Sequence, residues 1–297
     1  MRTLLLAAAI SAAVFAGASQ ARAQTAPNMP VLPPPPMVPV DQAGVASPLD
    51  NILAGDWRSE ANKARDKYRH PRETLAFFGV EPTQQLIEIW PGGGGWYAEI
   101  LAPLLRDKGR YIGVIPDPAK AGDEKAQAYA ERNNKKLRDL FAARSDVFGN
   151  PTLVEVNSAS PVLGPPGSAD VVLTFRNVHN WVMDGNEQVM FKALFAVLKP
   201  GGTLGVVDHR ANPDQPPAEM QSSGYLPEAF VIALATGAGF ELAGKSEINA
   251  NPLDTKDYAD GVWTLPPRLA KGDVDRAKYL AIGESDRMTL RFTKPAK

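Results

Sequence analysis

The stretch Glu88-Ile89-Trp90-Pro91-Gly92-Gly93-Gly94-Gly95-Trp96-Tyr97 (EIWPGGGGWY) decides how the rest of the chain is read. The apolar run Leu86–Trp90 has the length and composition of a strand buried on both faces, and it carries one carboxylate, Glu88. Four consecutive glycines follow at once. Apolar residues at helical spacing then begin: Tyr97, Ile100, Leu101, Leu104 and Leu105. Strand, glycine turn and helix together suit a nucleotide-like ligand. The glycines let the backbone come close, the helix start offers free N–H groups, and the acid takes a hydroxyl or an amine.

Working outward, strands and helices alternate. Trp57–Tyr68 reads as a charged helix, and Pro103 is expected to kink or divide the helix after the glycine turn. Arg110–Ile115 reads as a strand, Lys120–Phe141 as a polar helix, and Thr152–Val156 as a short strand. Ala169–Phe175 (ADVVLTF) is a strongly apolar strand and Glu187–Leu198 a helix. Pro200-Gly201-Gly202 turns the chain into a strand at Thr203–Asp208. Pro227 opens a helix to Ala235, and Phe240–Ile248 and Met288–Thr293 read as the last two strands. The alternation predicts an α/β fold, a parallel sheet with helices on both faces, and such sheets bind ligands at the carboxyl ends of their strands.

Not all of the chain belongs to this fold. Residues 1–23 read as a secretory signal peptide, with Arg2, an apolar core from Leu4 to Ala18 and the Ala21-Arg22-Ala23 cleavage pattern. The apolar run is short for a membrane span, and no other stretch is long enough for one. This predicts a periplasmic or secreted protein with no span once the signal is removed. Residues 24–50 carry Pro27, Pro30, Pro33 to Pro36, Pro39 and Pro48, the composition of an extended, coreless linker. Residues 51–297 form one domain of ordinary size.

The chain has no cysteine, which excludes disulfides, thiolate metal sites and cysteine nucleophiles. Removing Arg2 and Arg22 takes the formal charge from −1 to −3, and no basic block stands out. A nucleic-acid partner is therefore not expected. The composition leaves the oligomeric state open.

Four blocks in order carry a resemblance: LIEIWPGGGGW, SADVVLTFRNVHNW, LFAVLKPGGTLGVVDHR and ALATGAGFELAG. They resemble the class I, Rossmann-like methyltransferases that use S-adenosylmethionine, and cover about residues 75–294. More narrowly, RDKYRHPRETLAFFGV, PGGGGWY, FRNVHNW and VVDHR look like a group of exported bacterial proteins described only as predicted methyltransferases. The resemblance implies a mostly parallel seven-stranded sheet with a C-terminal antiparallel strand, and S-adenosylmethionine as cofactor. It implies that Gly92, Gly94 and Gly95 lie under the methionine and sulfonium part and Glu88 beneath the amino end. Asn157 and Ser158 would meet the adenine, and Arg176 and Asn177 would stand where cofactor and substrate meet. Two positions depart from the pattern. Trp90 replaces the usual first glycine, and Ile115 replaces the acid that normally binds the ribose hydroxyls, with Asp117 two residues on as its substitute.

Methyl transfer is an in-line displacement in which alignment supplies ~7–11 kcal/mol of the barrier, and an oxygen or nitrogen nucleophile often needs a base as well. His179 follows the fourth strand and His209 the fifth. His70 precedes the first, where family members often build a lid; all three are candidate proton carriers. Asp208 would orient an imidazole; alternatively it caps the loop after its strand. A metal held by Asp208, His209 and His179 is set aside, because the set matches no standard metal motif. Arg65, Asp66 and Arg69 read either as a solvated helix face or as an anion-binding lid. Trp96 and Trp181 flank the two site loops, whereas Trp57 and Trp263 read as packing residues. The expected function is methylation of a small-molecule or cell-envelope acceptor. The alternative is a methyltransferase fold that has lost the reaction and holds another ligand. A nicotinamide oxidoreductase fits the glycine spacing less well and lacks a Tyr-x-x-x-Lys pair after the fourth strand.

Overall fold

Apolar runs bounded by glycine and proline become the strands of a single sheet. The computed structural model describes residues 47–296; the segment read as a signal peptide and most of the linker lie outside the described residues. The strands are β1 (Gln85–Ile89), β2 (Arg110–Pro116), β3 (Thr152–Val156), β4 (Ala169–Phe175), β5 (Leu198–His209), β6 (Glu241–Ser246) and β7 (Arg287–Thr293). Their order is β3-β2-β1-β4-β5-β7-β6. The first five pair in parallel, and β7 runs antiparallel between β5 and β6. The chain winds outward from β1 to β3, then returns and winds the other way through β4 and β5. The direction therefore reverses between β1 and β4, and the crevice at their carboxyl ends is where such sheets hold ligands.

Alternation along the strands divides the core in two. Ile87, Ile89, Ile112, Val114, Val172 and Val206 face one side, where Trp181, Phe191 and Val231 pack on them from the helices Val178–Asp184, Glu187–Val197 and Glu228–Gly237. Leu86, Tyr111, Ile115, Val171, Leu173 and Phe175 face the other, against Phe78, Leu101 and Leu137 from the helices Pro71–Phe78, Ala98–Leu105 and Glu124–Ala143. Each fully buried side chain of this size stabilises the fold by roughly 1.5–3 kcal/mol. Helices thus cover both faces, as the alternation of elements predicts.

Several elements differ from expectation. The segment read as one helix from Trp57 to Tyr68 is two single turns, Glu60–Lys63 and Asp66–Arg69. They are broken where the buried Arg58 guanidinium reaches down to Asp66, with both N···O distances 2.7 Å. A helix at Pro48–Ala54 starts inside the stretch read as linker, closed by a Ser47–Asp50 capping box and anchored by buried Ile52. The first helix after the glycine turn runs through Pro103 and stops at Leu105. The polar helix starts later than its residue pattern suggests, at Glu124, because Asp123 caps it by accepting from the Ala126 N–H at 2.7 Å. The helices Val178–Asp184 and Arg276–Ile282 have no counterpart in the sequence reading. Among the described residues no helix is long and apolar enough to cross a membrane.

Candidate active site at the strand switch point

A cleft of about 1160 Å³ opens over the carboxyl ends of β1 to β5. Glu88 sits at its base. It lies opposite Gly113 of β2 in the sheet register and shares the face of Leu86. The Tyr111 hydroxyl donates to its Oε2 at 2.7 Å, but burial dominates and pushes the carboxyl up to about 8. Without a cationic partner it is therefore mostly protonated at neutral pH. A ligand ammonium group would hold the ionised form instead.

Trp90, at the end of the same strand, takes the left-handed conformation (φ 48°) that a glycine ordinarily adopts there. Its ring meets Trp181 edge-on, with centroids 6.1 Å apart, and packs on the core, so it lines the cleft rather than filling it. Arg176, at the end of the adjacent strand β4, is also left-handed (φ 61°). Two such non-glycine residues on neighbouring strand ends mark a backbone held in strain by its surroundings. Asn177 ties the two ends together, donating from Nδ2 to the Ile89 carbonyl at 2.7 Å.

The glycines divide their tasks. Gly92, with φ 73°, lines the cleft and has nothing within 4 Å of where a Cβ would sit. Gly94 and Gly95, expected under a ligand, do not line it. A Cβ on Gly95 would stand 2.9 Å from Leu140, so this glycine lets the turn pack on the Glu124–Ala143 helix. Gly94 faces open space, and its carbonyl accepts from Asn62. Asp117, Asn157 and Ser158 all line the cleft at the tips of β2 and β3. Asp117 accepts from the Ala119 N–H, Asn157 from the Ala159 N–H, and Ser158 from Asn186. The structure thus brings Asp117, not Ile115 alone, to the β2 end of the cleft.

His179 and His209 come together on the far side, with ring centroids 4.9 Å apart, and both line the cleft. Asp208 orients the first. Its Oδ1 lies 2.8 Å from His179 Nδ1 and also accepts from the His209 N–H at 2.7 Å, while Oδ2 accepts from the Val178 N–H at 2.7 Å. A carboxylate that already takes three backbone N–H groups sets the Nδ1–H tautomer of His179 and leaves Nε2 as the acceptor of a ring that lines the cleft. His209 Nδ1 lies 2.6 Å from the Ser285 hydroxyl. Burial, reinforced by His179 and nearby arginines, holds His209 well below its ordinary range, so it is neutral at physiological pH.

Two expectations for catalytic residues need correction. Asp208 is fully buried and does not line the cleft; its link to the cleft runs through His179. Its oxygens lie within 4.8 Å of ligand atoms of both histidines, but they are committed to the donors just named. His70 does not line the cleft either. It is the left-handed joint (φ 40°) between the turn Asp66–Arg69 and the helix Pro71–Phe78. The residue before it, Arg69, reaches in instead.

The remaining wall was not legible as a site. Val262, Trp263, Leu265 and Pro266 line the cleft from the far end of the chain, and Trp263 stands 6.4 Å from the His179 ring, so it is more than packing. Trp96 is buried beside the guanidiniums of Arg58 and Arg69, whose central carbons lie 5.4 and 4.7 Å from its ring centroid. Tyr97 stacks on Phe175 at a centroid distance of 3.6 Å and an interplanar angle of 10°.

No protein-family model matches the chain, and no curated protein matches it. Solved structures do. The [4+2]-cyclase SpnF is similar at a TM-score of 0.56 and 17% identity, over 84% of this chain and 93% of that one. A "putative sarcosine dimethylglycine methyltransferase" from Galdieria sulphuraria is similar at 0.52 and 14% identity, over 80% and 92%. A chain of the complex between "the Haloferax volcanii Trm112 methyltransferase activator and the putative methyltransferase" gives 0.50 and 17%, over 85% and 100%. At such identities the likeness speaks for the fold. With the strand order and the antiparallel β7, it gives the chain the Rossmann-like fold of the class I methyltransferases.

Proposed function

We propose that this protein is an S-adenosylmethionine-dependent methyltransferase acting on a small-molecule acceptor outside the cytoplasm. The observation that carries the reading is the pairing of two half-sites across the switch point. Glu88 and Gly92 stand on one side, and the Asp208-oriented His179 stands on the other. The fold is compatible with this activity but does not prescribe it, since one structural relative is a [4+2]-cyclase.

The residues fit the cofactor's groups. Glu88 is a buried acid without a cationic partner, matched to an ammonium group. Gly92 leaves room for close backbone approach, and Asp117 and Asn157 offer acceptors at the β2 and β3 tips. The Trp90 ring, which lines the cleft, suits a sulfonium. The cofactor, when bound, supplies an electrophilic methyl group. His179 Nε2 takes the proton from the acceptor's hydroxyl or amine, and Asp208 stabilises the imidazolium that results. Neutral His209 offers a second acceptor or donor to the same nucleophile. Export rests on the charged, apolar and small-residue pattern of residues 1–23.

Calorimetric titration of the purified protein with S-adenosylmethionine and with its demethylated product tests the reading. Saturable micromolar binding of both is expected. A well-folded protein that binds neither would overturn it, and would favour the second reading, a binding protein on the same fold, to which Trp90 at the usual glycine position already points.

A further inference from the structure

The cleft holds more positive charge than its own acids neutralise. Glu284 accepts from Arg65 Nε at 2.6 Å, from Arg69 Nε at 3.0 Å and lies 3.1 Å from Arg287 Nη2, so three guanidiniums share one carboxylate. Burial alone would raise that carboxyl, but the arginines outweigh it and hold it at about 2. Even so, the Nη2 atoms of Arg65 and Arg69 are buried without a hydrogen-bond partner among the described residues. A fourth guanidinium, that of half-buried Arg176, lines the cleft with His179 and His209 and makes no ion pair or side-chain hydrogen bond among the described residues. Burial brings it down to about 10, so it remains charged at neutral pH. Buried donors as strong as those of Arg65 and Arg69 are rarely left unpaired in a working state, and half-buried Arg176 presents an unpaired charge to the same cleft.

We infer that Arg69 and Arg176 form an oxyanion subsite next to His179, and that the methyl acceptor is an anion bearing a carboxylate or phosphate group beside its nucleophile. This rests on the methyltransferase reading for the word acceptor, but not for the subsite. The two arginines come from different elements and line the same cleft: Arg69 from the turn Asp66–Arg69, where it packs on Trp96, and Arg176 from just past the end of β4. Two planar guanidiniums close enough for each to act on the other's charge suit a carboxylate or a phosphate, and the neutral ring of His209 adds no competing charge. Trp263 and Phe175 supply flanking apolar surface for the rest of the molecule. Beyond Glu284, already shared by three arginines, the acids nearby do not answer the demand. Asp208 is committed to His179 and backbone N–H groups, and Glu88 is held protonated by burial.

The test is titration of the purified protein, without cofactor, with benzoate, inorganic phosphate and the uncharged isostere benzamide. Benzoate or phosphate is expected to bind saturably and benzamide not at all. Arg176→Met is expected to weaken the anion by about ten- to a hundredfold, the range for hydrogen bonds to charged groups, while Arg176→Lys restores part of the loss. Far-ultraviolet circular dichroism of each variant confirms that it is folded. If neither anion binds the parent, or if both variants bind as the parent does, the subsite is refuted. A second arm separates the acceptor's anion from the cofactor's own carboxylate. S-adenosylmethionine and its decarboxylated form are titrated into parent and Arg176→Met, and the anion is titrated again with demethylated cofactor present. Equal losses for the two cofactors, or none, with the anion still binding, support the acceptor assignment. A loss confined to the carboxylated cofactor, with the anion displaced by it, overturns that assignment. Anion binding without any cofactor binding would sink the methyltransferase reading and leave the subsite standing.

Discussion

Asp208 is the residue on which the candidate chemistry turns. It never touches the cleft, yet it fixes which nitrogen of His179 is free. An asparagine there keeps one oxygen and replaces the other with an N–H donor. In either orientation that donor displaces a backbone N–H, of Val178 and His179 at the Oδ2 position or of His209 at the Oδ1 position, and only the second also sets it against His179 Nδ1. The second arrangement forces the proton onto Nε2, and the base is lost. Asp208→Asn is therefore expected to lower turnover by about 10²–10⁴-fold, with cofactor affinity unchanged. Nitrogen-15 chemical shifts of the His179 ring read the tautomer directly. A variant that keeps the Nδ1–H tautomer, or turns over normally, would contradict this role.

At the scale of the element, the glycine turn is shaped as much by the Glu124–Ala143 helix as by any ligand. A Cβ on Gly93 would stand 2.5 Å from Asn133 Oδ1 and 3.1 Å from its Cα, and the backbone atom cannot rotate away. One on Gly94 would meet nothing within 4 Å. Gly93→Ala is expected to cost about 1–3 kcal/mol, in the range of overpacking, while Gly94→Ala stays within about 0.5 kcal/mol of the parent. Urea unfolding measures both, and equal midpoints for the two variants would show that the helix does not press on the turn. A bulky residue at Gly94 is accordingly not expected to block the cleft. The same contrast explains which elements the sequence made legible. Strands β1, β2, β4 and β7 are five- to seven-residue runs with four or more buried positions, a pattern that needs no partner to be recognised. The helix Val178–Asp184 was not legible because no local side chain caps it; its first N–H groups are taken by Asp208, some thirty residues away on β5. The arginine cluster was hidden in the same way. Arg65 and Arg69 meet Glu284 across more than two hundred residues, and no local spacing announces such a pair. Glu88, Gly92, His179 and His209 could be named because they stand at strand ends, where the fold itself gathers them.

For the whole molecule, three buried groups set how stability depends on pH. Glu88 titrates at about 8 in the fold against about 4.5 unfolded. Between those values the native state holds a proton that the unfolded chain has lost, so stability falls as pH rises, by up to about 1.4 kcal/mol per unit. His209 stays neutral in the fold while the unfolded ring protonates below about 6.5, so it makes stability fall as pH drops below that point. Glu284 stays ionised down to about 2, so its contribution is lost as pH falls from about 4.5 towards 2. Between about pH 4.5 and 6.5 the slopes of Glu88 and His209 oppose and nearly cancel. Above that plateau Glu88 acts without His209, and below it His209 and Glu284 act together, so the acid limb is the steeper. Burial also raises Glu99 and Asp254, so each lowers stability as pH rises from its unfolded value, 4.5 and 3.8, towards its folded one. Glu88→Gln isolates the main contributor, since glutamine still accepts from Tyr111 but has no proton to lose. Its stability relative to the parent is expected to grow steadily from pH 5 to pH 8 in urea unfolding. A constant difference across that range would mean that Glu88 is ionised in the fold, and that the cleft already provides the positive partner which the proposed ligand is meant to bring.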